Sequence, residues 1–287
     1  MGGAVSSALS PRHVVEKMAF HYLAGQHEMS VMANDTRTIP ATVRAVRIGK
    51  QDTYCLYQPP VASLAAEHEQ QESSSPECIF LCFHGNAESV YGLWDDVVRF
   101  IAAPLPQCAF FAVEYPGYVC EELTPQSKYW ESATPTEDDI KQHAAAVYDR
   151  VHTMWPNVPI ICVGRSLGCG VALWLASTRT VHAVLLLAPY LSIMRVGIGM
   201  SIPYMDIFDN LYIAPSCRAQ NVVIVHSKDD PVIPIGHSEQ LIQQLHQCAY
   251  TKLIRRNTSG HGAKYLRNPT FVEHLLEHLG VKVSSSE

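Results

Sequence analysis

The sequence has few charged residues, no long basic run and no long apolar run. Only 17% of its 287 residues are charged, and the formal net charge is −6 with a pI of about 6.1. Because a nucleic-acid surface needs clustered Lys and Arg, this composition excludes DNA and RNA as expected partners. No stretch approaches the ~18 consecutive apolar residues of a membrane span, and the first residues lack the apolar region of a signal peptide. We therefore expect a cytoplasmic protein.

Cysteine is not arranged for metal binding or for a disulfide framework. The chain has nine cysteines, an odd number, with no CxxC pair and no Cys and His spacing of a zinc site. Most of them lie in apolar runs, as Cys78, Cys82, Cys108 and Cys162 do. Such positions are typical of small buried side chains in a reducing compartment. The sequence predicts no metal and no cofactor.

Length and composition indicate one large globular unit. With 47% hydrophobic residues, a chain of 287 residues can bury a substantial core. We divide it into an N-terminal segment, 1–40, and a single domain, 41–287. Within that domain, 58–77 is rich in Pro, Ser, Glu and Gln and has no hydrophobic period, so it is predicted to be a mobile insertion.

The first residues carry a lipidation motif. The letters MGGAVS at 1–6 fit M-G-x-x-x-[ST], in which Gly2 is myristoylated after removal of the initiator methionine. The alternative is an ordinary flexible terminus. One myristoyl chain holds a protein at a membrane only marginally, with an association constant of about 10⁴ M⁻¹. Since no cysteine precedes Cys55, and Arg12 and Lys17 do not make a basic patch, we expect reversible peripheral contact or attachment through a partner.

Apolar runs alternate with helical patterns from residue 78 onward. The predicted strands are 78–83, 109–114, 160–163, 183–187, 222–225 and 251–255. The predicted helices are 89–101, 137–154, 169–176, 238–247 and 270–279. Continuous apolar strands are typical of a parallel sheet that is covered on both faces. The alternation predicts an α/β fold with a mostly parallel, doubly wound sheet, preceded by an antiparallel strand pair at 41–48 and 53–57.

Segment 189–220 interrupts this alternation. It is irregular but too apolar for a solvated loop, with Ile, Leu, Met, Val and Phe throughout its length. We interpret it as a small cap whose apolar face lines an acyl pocket. The alternative is that its apolar side chains pack into the core as short helices.

Ser166 lies at the centre of GRSLG, residues 164–168, between a predicted strand and a predicted helix. The order of strand, G-x-S-x-G and helix is typical of a nucleophile elbow. The two glycines let strand and helix pass closely while the serine adopts a strained conformation. Its hydroxyl then needs a base and backbone N–H donors to act as a nucleophile. The alternative is a surface turn.

An acid and a base are expected to follow this serine along the chain. The run HSKDDPVIP ends the strand 222–225 in an acidic turn that contains Asp229 and Asp230, and neither spacing nor charge separates the two. His261 lies in the loop SGHG after the next strand, where it is able to reach the Ser166 hydroxyl as a base. The alternative for His261 is a loop histidine without a role.

Five motifs together resemble a known family. FHGNAES, EYPGY, GRSLGCG, HSKDDPVIP and SGHG occur in this order and resemble the prolyl-oligopeptidase-related branch of α/β-hydrolases. Within that branch, the chain is similar to bud-emergence-type hydrolases and membrane-associated protein depalmitoylases. The resemblance implies an α/β-hydrolase fold and a catalytic triad of Ser166, Asp230 and His261. Asp230 is preferred to Asp229 because it matches the family turn H-G-x-x-D-x-V-V/I-P in register.

The same motifs imply an oxyanion hole made of two backbone N–H groups. Leu167, which follows the nucleophile, supplies one. The second is assigned to Asn86, in the run that resembles the family's His-Gly motif, with Ala87 as the alternative. The sequence departs from the family in two places. It lacks the N-terminal cysteine cluster of the depalmitoylases, and Cys169 stands where relatives usually have glycine.

The resulting hypothesis is a serine hydrolase that acts through an acyl-enzyme on an ester or thioester. The apolar cap and the lipidation motif favour a fatty-acyl ester or thioester over a peptide bond, with a depalmitoylase-like activity on an acylated protein and a lipase or esterase activity both open. Two alternatives stay open: a serine peptidase of the prolyl-oligopeptidase-related type, and a catalytically silent hydrolase-fold interaction protein. For Arg165, a salt bridge within the scaffold is favoured over contact with a substrate carboxylate. The sequence does not predict an oligomeric state.

Overall fold

The computed structural model describes residues 10–16, 42–48, 53–61, 75–86, 88–118, 135–257 and 259–283. Gly2, Ala87 and most of the predicted insertion lie outside these ranges. The eight strands are β1 Arg44–Ile48, β2 Thr53–Gln58, β3 Ile79–Phe83, β4 Ala109–Val113, β5 Ile160–Arg165, β6 Ala183–Leu187, β7 Asn221–Ser227 and β8 Tyr250–Arg256. They form one sheet in the order β1-β2-β4-β3-β5-β6-β7-β8.

The sheet is mostly parallel, as the sequence predicts. Strands β3 to β8 pair in parallel. The first two strands differ, because β1 pairs antiparallel with β2 and β2 pairs antiparallel with β4. The predicted antiparallel pair thus extends one edge of the parallel sheet.

Both faces of the sheet are buried, which explains the continuous apolar runs. In β3, Ile79, Leu81 and Phe83 belong to one buried cluster, whereas Phe80 and Cys82 belong to the other. Successive strand residues point to opposite faces, so each face receives alternate side chains of one run. All five side chains are buried, and polar residues would leave unpaired groups on either side.

Helices cover these two faces. The helix after β3, α1, is continuous through Val90–Leu93, a π-helical stretch Trp94–Val98 and Arg99–Ala102. The others are α2 Glu137–Met154, α3 Leu167–Thr178, α4 Ile193–Ile198, α5 Asn210–Ile213, α6 Gly236–Leu241 and α7 Pro269–His278. Apolar residues of α2, α3 and α6 belong to one cluster, and those of α1 and α7 belong to the other. None of the helices in the described ranges is both long and apolar enough to cross a bilayer.

One predicted helix is shorter than expected. The prediction of a helix over 238–247 is wrong at its end, because α6 closes at Leu241 and a single 3₁₀ turn, Ile242–Gln244, follows. Leu245 then leaves the helical region, with φ −84° and ψ 40°. Its side chain is buried in the same cluster as Leu241. The tighter turn therefore lets the chain enter β8 while keeping both leucines in the core.

The segment 189–220 divides into an inner and an outer part. The inner part packs with α2 and α3 through Tyr190, Leu191, Met194, Ile207 and Phe208, all of which are buried. For these side chains the core-packing alternative holds. The outer part, between α4 and Met205, exposes Ile198, Met200, Ile202 and Tyr204.

Strand order brings four loops to one edge of the sheet. Adjacent to β3, β4 lies on one side and β5 on the other, so the side on which successive parallel strands are added reverses there. Loops at the carboxyl ends of parallel strands around such a reversal form the usual binding crevice of this architecture. The loops after β3, β5, β7 and β8 carry the described residues 84–86, 88–89, 166, 228–233 and 259–262 to this edge.

Candidate active site

Ser166 occupies a tight turn between β5 and α3. Its backbone has φ 50° and ψ −117°, a conformation that a non-glycine residue adopts only when its surroundings impose it. The Ser166 N–H donates to the Leu187 carbonyl at 2.9 Å, and the Ser166 carbonyl accepts from Cys169 N at 2.9 Å. These two hydrogen bonds fix the turn to the neighbouring strand and to its own helix.

The glycines on either side of the turn are required by close approach. A Cβ on Gly164 would lie 2.6 Å from the Cys169 Cα, and a Cβ on Gly168 would lie 2.8 Å from the His84 carbonyl oxygen. Both distances are too short for any real side chain. Larger residues here would push α3 away from β5 and β3 and displace the serine.

His261 connects Ser166 to Asp230. Its Nε2 lies 3.0 Å from the Ser166 Oγ, and its Nδ1 lies 2.8 Å from the Asp230 Oδ2. In the tautomer that fits both contacts, Nδ1–H donates to the carboxylate and Nε2 accepts from the serine hydroxyl. The structure therefore brings together all three residues of the predicted triad, from loops after β5, β7 and β8. The distances are within the range for general-base catalysis.

Asp230 is buried but held in its ionised form. Its Oδ1 accepts hydrogen bonds from Val232 N at 2.8 Å and Ile233 N at 2.9 Å, and its Oδ2 lies 3.3 Å from the His226 Nε2. Burial alone would raise the pKa of this carboxyl group, but the hydrogen bonds from His226, His261 and the two amides outweigh burial and hold the pKa of Asp230 well below its ordinary value. The His261 ring therefore faces a carboxylate whose ionised form is favoured.

The neighbouring aspartate has a different environment. Asp229 is exposed, and its Oδ1 accepts from the backbone N–H groups of Ser259 and Gly260, each at 3.1 Å. These amides lie directly before His261 in the chain. Asp230 therefore contacts the imidazole, whereas Asp229 holds the loop that carries it.

His226 supports the acid and was missed by sequence reasoning. It is fully buried, with Nε2 at 2.9 Å from the Ile233 carbonyl oxygen and Nδ1 at 2.6 Å from the Ser238 Oγ. Since the carbonyl only accepts, Nε2 carries the proton and Nδ1 accepts from the serine hydroxyl. The signal was a histidine at the end of a buried strand, within the same motif as Asp230.

The loop after β3 packs against the nucleophile. A Cβ on Gly85 would lie 3.4 Å from the Ser166 Cβ. Asn86 follows in the chain, and its side-chain oxygen accepts from the Tyr118 hydroxyl at 2.8 Å. Leu167 is the first residue of α3, so its N–H has no acceptor within the helix. These placements suit an oxyanion hole, and the donor roles of Leu167 and Asn86 stay predictions.

Glu88 joins this loop to the elbow. Its Oε2 accepts from Gly85 N at 2.8 Å, and its Oε1 accepts from the guanidinium of Arg165, the residue before the nucleophile. Arg165 also lies 3.8 Å from the half-exposed Asp96. The guanidinium thus pairs within the scaffold. Sequence reasoning missed Glu88, whose signal was a carboxylate three residues after the first glycine of the loop.

A buried ion pair holds the start of the same loop. His84 Nε2 donates to Glu114 Oε1 at 2.7 Å, and His84 Nδ1 donates to the Gly85 carbonyl at 2.8 Å. Burial acts to lower the pKa of His84, but the charge and hydrogen bond of Glu114 outweigh it, so the pKa is raised. Both ring nitrogens face acceptors, as a protonated imidazole requires. Glu114 Oε2 also accepts from Val90 N at 3.3 Å, which ties the start of α1 to the pair.

Sequence comparison gives a partial relative. No family model matches the chain. The alpha/beta hydrolase domain-containing protein aho-3 of Caenorhabditis elegans is 26% identical over 141 residues, which are 48% of this chain and 39% of that protein. The chain therefore spans well under half the length of this relative.

Solved structures share the whole architecture. A Pyrococcus furiosus esterase superposes with a TM-score of 0.61 at 13% identity, covering 83% of this chain and 90% of the esterase. The Pyrococcus horikoshii acylaminoacyl peptidase gives a TM-score of 0.58 at 11% identity, covering 90% of this chain and 44% of the peptidase. This chain has an α/β-hydrolase fold. The predicted fold is confirmed, while membership of the prolyl-oligopeptidase-related branch and the similarity to depalmitoylases stay predictions.

Cys169 is the third residue of α3, on the helix that follows Ser166. The thiol is buried, and its Sγ donates to the Gly164 carbonyl at 3.2 Å and the Leu187 carbonyl at 3.3 Å. Burial raises the pKa of Cys169 well above its ordinary value. The thiol is therefore a packing residue of the elbow and does not compete with Ser166 as a nucleophile.

Proposed function

We propose that this chain is a serine hydrolase that cleaves an ester or thioester through an acyl-enzyme. The observation that carries the proposal is the position of the His261 ring, 3.0 Å from the Ser166 Oγ and 2.8 Å from the Asp230 carboxylate. A strained serine, a base at hydrogen-bond distance and a buried acid behind it form the arrangement that acyl transfer needs. The esterase and peptidase neighbours support the same chemistry.

In the acylation step, His261 Nε2 takes the proton from the Ser166 hydroxyl as its oxygen attacks the carbonyl carbon. Asp230 stabilises the imidazolium, and the N–H groups of Leu167 and Asn86 donate to the developing oxyanion. The bond to the leaving group then breaks, and His261 gives its proton to the departing alcohol or thiol. The acyl group is left on Ser166.

In the deacylation step, water replaces the leaving group. His261 takes a proton from this water, and the resulting hydroxide attacks the acyl carbon. The tetrahedral intermediate collapses, the bond to the Ser166 oxygen breaks, and the proton on His261 returns to that oxygen. The product acid leaves, and the enzyme is restored without a cofactor.

We further propose a fatty-acyl substrate carried by a protein. The apolar segment 189–220 begins beside the nucleophile helix, because the Tyr190 hydroxyl donates to the Leu167 carbonyl at 3.2 Å. An apolar segment that begins at the helix following Ser166 favours an alkyl chain over a polar acyl group. Myristoylation of Gly2 would bring the enzyme to the surface where lipidated proteins lie. Fractionation of wild type and Gly2→Ala into membrane and soluble material tests the proposed membrane location, and equal partition of the two proteins would contradict that location.

A substrate panel tests the reaction class. p-Nitrophenyl esters and acyl-thioesters of increasing chain length are compared with a palmitoylated peptide and a peptide amide. Each methylene that enters an apolar site is expected to raise kcat/KM by about fourfold. A flat dependence on length would contradict the fatty-acyl proposal. Faster cleavage of the amide would favour the peptidase alternative, and no turnover of any compound would favour the silent interaction protein.

A further inference from the structure

We propose that residues 198–204, the apolar lobe, insert into the interface of a zwitterionic lipid bilayer. The exposed side chains of the lobe are Ile198 at 55%, Met200 at 60%, Ile202 at 37% and Tyr204 at 98%. No charged residue occurs from 196 to 205. Large apolar side chains grouped in one projecting segment mark an interaction site, whereas single exposed ones do not.

The backbone of the lobe supports a role outside folding. Tyr204 has φ 65°, a conformation that is unfavourable for a bulky residue. Its ring is almost fully exposed, so packing does not compensate for the strain. A tyrosine with an apolar body and a polar tip is the residue type that sits at the boundary between lipid and water.

Two aspartates accept hydrogen bonds at the base of the lobe. Asp206 Oδ1 accepts from Met194 N and Ile207 N, both at 3.0 Å. Asp209 Oδ1 accepts from Tyr212 N and from the Arg195 guanidinium, both at 3.2 Å. The nearest carboxylates are thus engaged in hydrogen bonds at the base. The lobe presents a neutral apolar tip above them.

The N-terminal segment approaches the same place. Residues 10–16 include a helical turn in which the Arg12 guanidinium pairs with Glu137 at 2.9 Å. The other oxygen of Glu137 accepts from Phe208 N at 2.9 Å, at the inner end of the segment that carries the lobe. The described start of the chain, residues 10–16, therefore contacts the base of the lobe through Glu137.

At this position the lobe can supply the second membrane contact that a single lipid chain needs. One myristoyl chain binds a bilayer only marginally, and stable attachment takes a second contact. The net charge of −6 argues against an anionic surface as that contact. Insertion of uncharged Ile, Met and Tyr side chains needs no anionic lipid. The lobe also follows β6 at the carboxyl edge of the sheet, the edge that carries Ser166.

The test measures binding of the full chain to phosphatidylcholine vesicles by co-sedimentation. It uses Ser166→Ala protein beside wild type, so that a failure of the proposed catalysis leaves the result readable. The double variant Met200→Ser/Tyr204→Ser is expected to bind at least about tenfold more weakly. The control, Val61→Ser/Met154→Ser, changes side chains of 54% and 48% exposure at the opposite edge of the sheet and is expected to bind within about twofold of wild type.

Two further measurements separate membrane contact from folding and from self-association. Tyr204→Gly removes the ring and the strain, so it is expected to weaken vesicle binding while raising the thermal unfolding midpoint. Equal binding by the two double variants would overturn the proposal. So would binding that requires phosphatidylserine, or a dimer in sedimentation velocity that the lobe variant abolishes while vesicle binding stays unchanged.

Discussion

The catalytic loops and the apolar lobe leave the same edge of the sheet, but their side chains are held in opposite ways. Asp230 accepts from two backbone amides and two imidazoles, and Glu88 from an amide and a guanidinium. In the lobe, Met200 and Tyr204 face solvent. The difference separates two tasks, because a reaction needs groups fixed within a fraction of an ångström, whereas a contact surface needs exposed area.

The largest expected difference between the two regions is the loss of kcat when a residue of the proposed triad is removed. Ser166→Ala and His261→Ala are each expected to lower kcat on a short soluble ester by about 10⁴-fold or more. Neither removes buried apolar volume, so the thermal unfolding midpoint should stay close to wild type. A loss below tenfold with the fold intact would contradict the assignment of the triad. The lobe variant Ile198→Ser serves as the control from the other region.

The two adjacent aspartates give the next largest contrast. Asp230→Asn removes the charge that orients and stabilises the imidazole, and a loss of about 10³-fold to 10⁴-fold in kcat is expected. Asp229→Asn weakens only the contacts to Ser259 and Gly260, so about tenfold or less is expected. Steady-state kinetics on one soluble ester measures both. Equal losses would mean that contact with the imidazole does not distinguish the two carboxylates.

Stability should differ between the regions as catalysis does. Glu114→Gln leaves the fully buried His84 without its charged partner and is expected to cost about 3 kcal/mol in the free energy of unfolding. Ile198→Ser changes an exposed side chain of the lobe and is expected to cost less than about 0.5 kcal/mol. Urea denaturation measures both. A large cost at Ile198 would show that the lobe is part of the core.

Glu88 allows a finer test of the catalytic side. Glu88→Gln weakens the link from Arg165 to the Gly85 amide, so the loop beside the nucleophile loses part of its support. We expect kcat to fall about tenfold with KM unchanged. Asp96→Asn is the matched control, because Asp96 is the second, more distant carboxylate near Arg165. If Glu88→Gln and Asp96→Asn lower kcat equally, the contact between Arg165 and Glu88 has no specific role in positioning the loop.

The smallest expected effect is the change in the free energy of unfolding with pH. Glu114 raises the pKa of His84 above its ordinary value of 6.5. The stabilisation from this pair is therefore fully present below pH 6.5 and is lost as the pH rises through the folded-state pKa. Urea denaturation at a series of pH values should show this decline in wild type. The decline should be weaker in Glu114→Gln, and identical profiles would contradict a protonated His84.

The sheet and the proposed triad could be predicted from the sequence because both depend on local sequence patterns. Strands covered on two faces are continuous apolar runs, and Ser166 lies between glycines that permit one kind of turn. Asp230 needed the family turn to separate it from Asp229. The supporting contacts were not predicted because they join residues that lie far apart in the sequence. Glu114 contacts His84 although the two are thirty positions apart in the chain, and the pairing of β3 with β4 brings them together.

The segment 189–220 shows a structural division that its composition could not predict. Its apolar residues are spread along its whole length, so no pattern separates buried Phe208 from exposed Tyr204. The Phe208 N–H also donates a hydrogen bond to Glu137, which lies on a helix that ends more than fifty residues earlier in the chain. Composition alone therefore predicts an apolar segment but not which side chains pack inward.

Labelling with a fluorophosphonate tests the central claim most directly. The reagent forms a covalent bond with a serine oxygen only when a base and an oxyanion hole activate it. Intact mass spectrometry of the folded chain should show one adduct, located on Ser166 by peptide mapping and absent from Ser166→Ala. An unlabelled wild-type chain, or an adduct that persists in Ser166→Ala, would contradict the account.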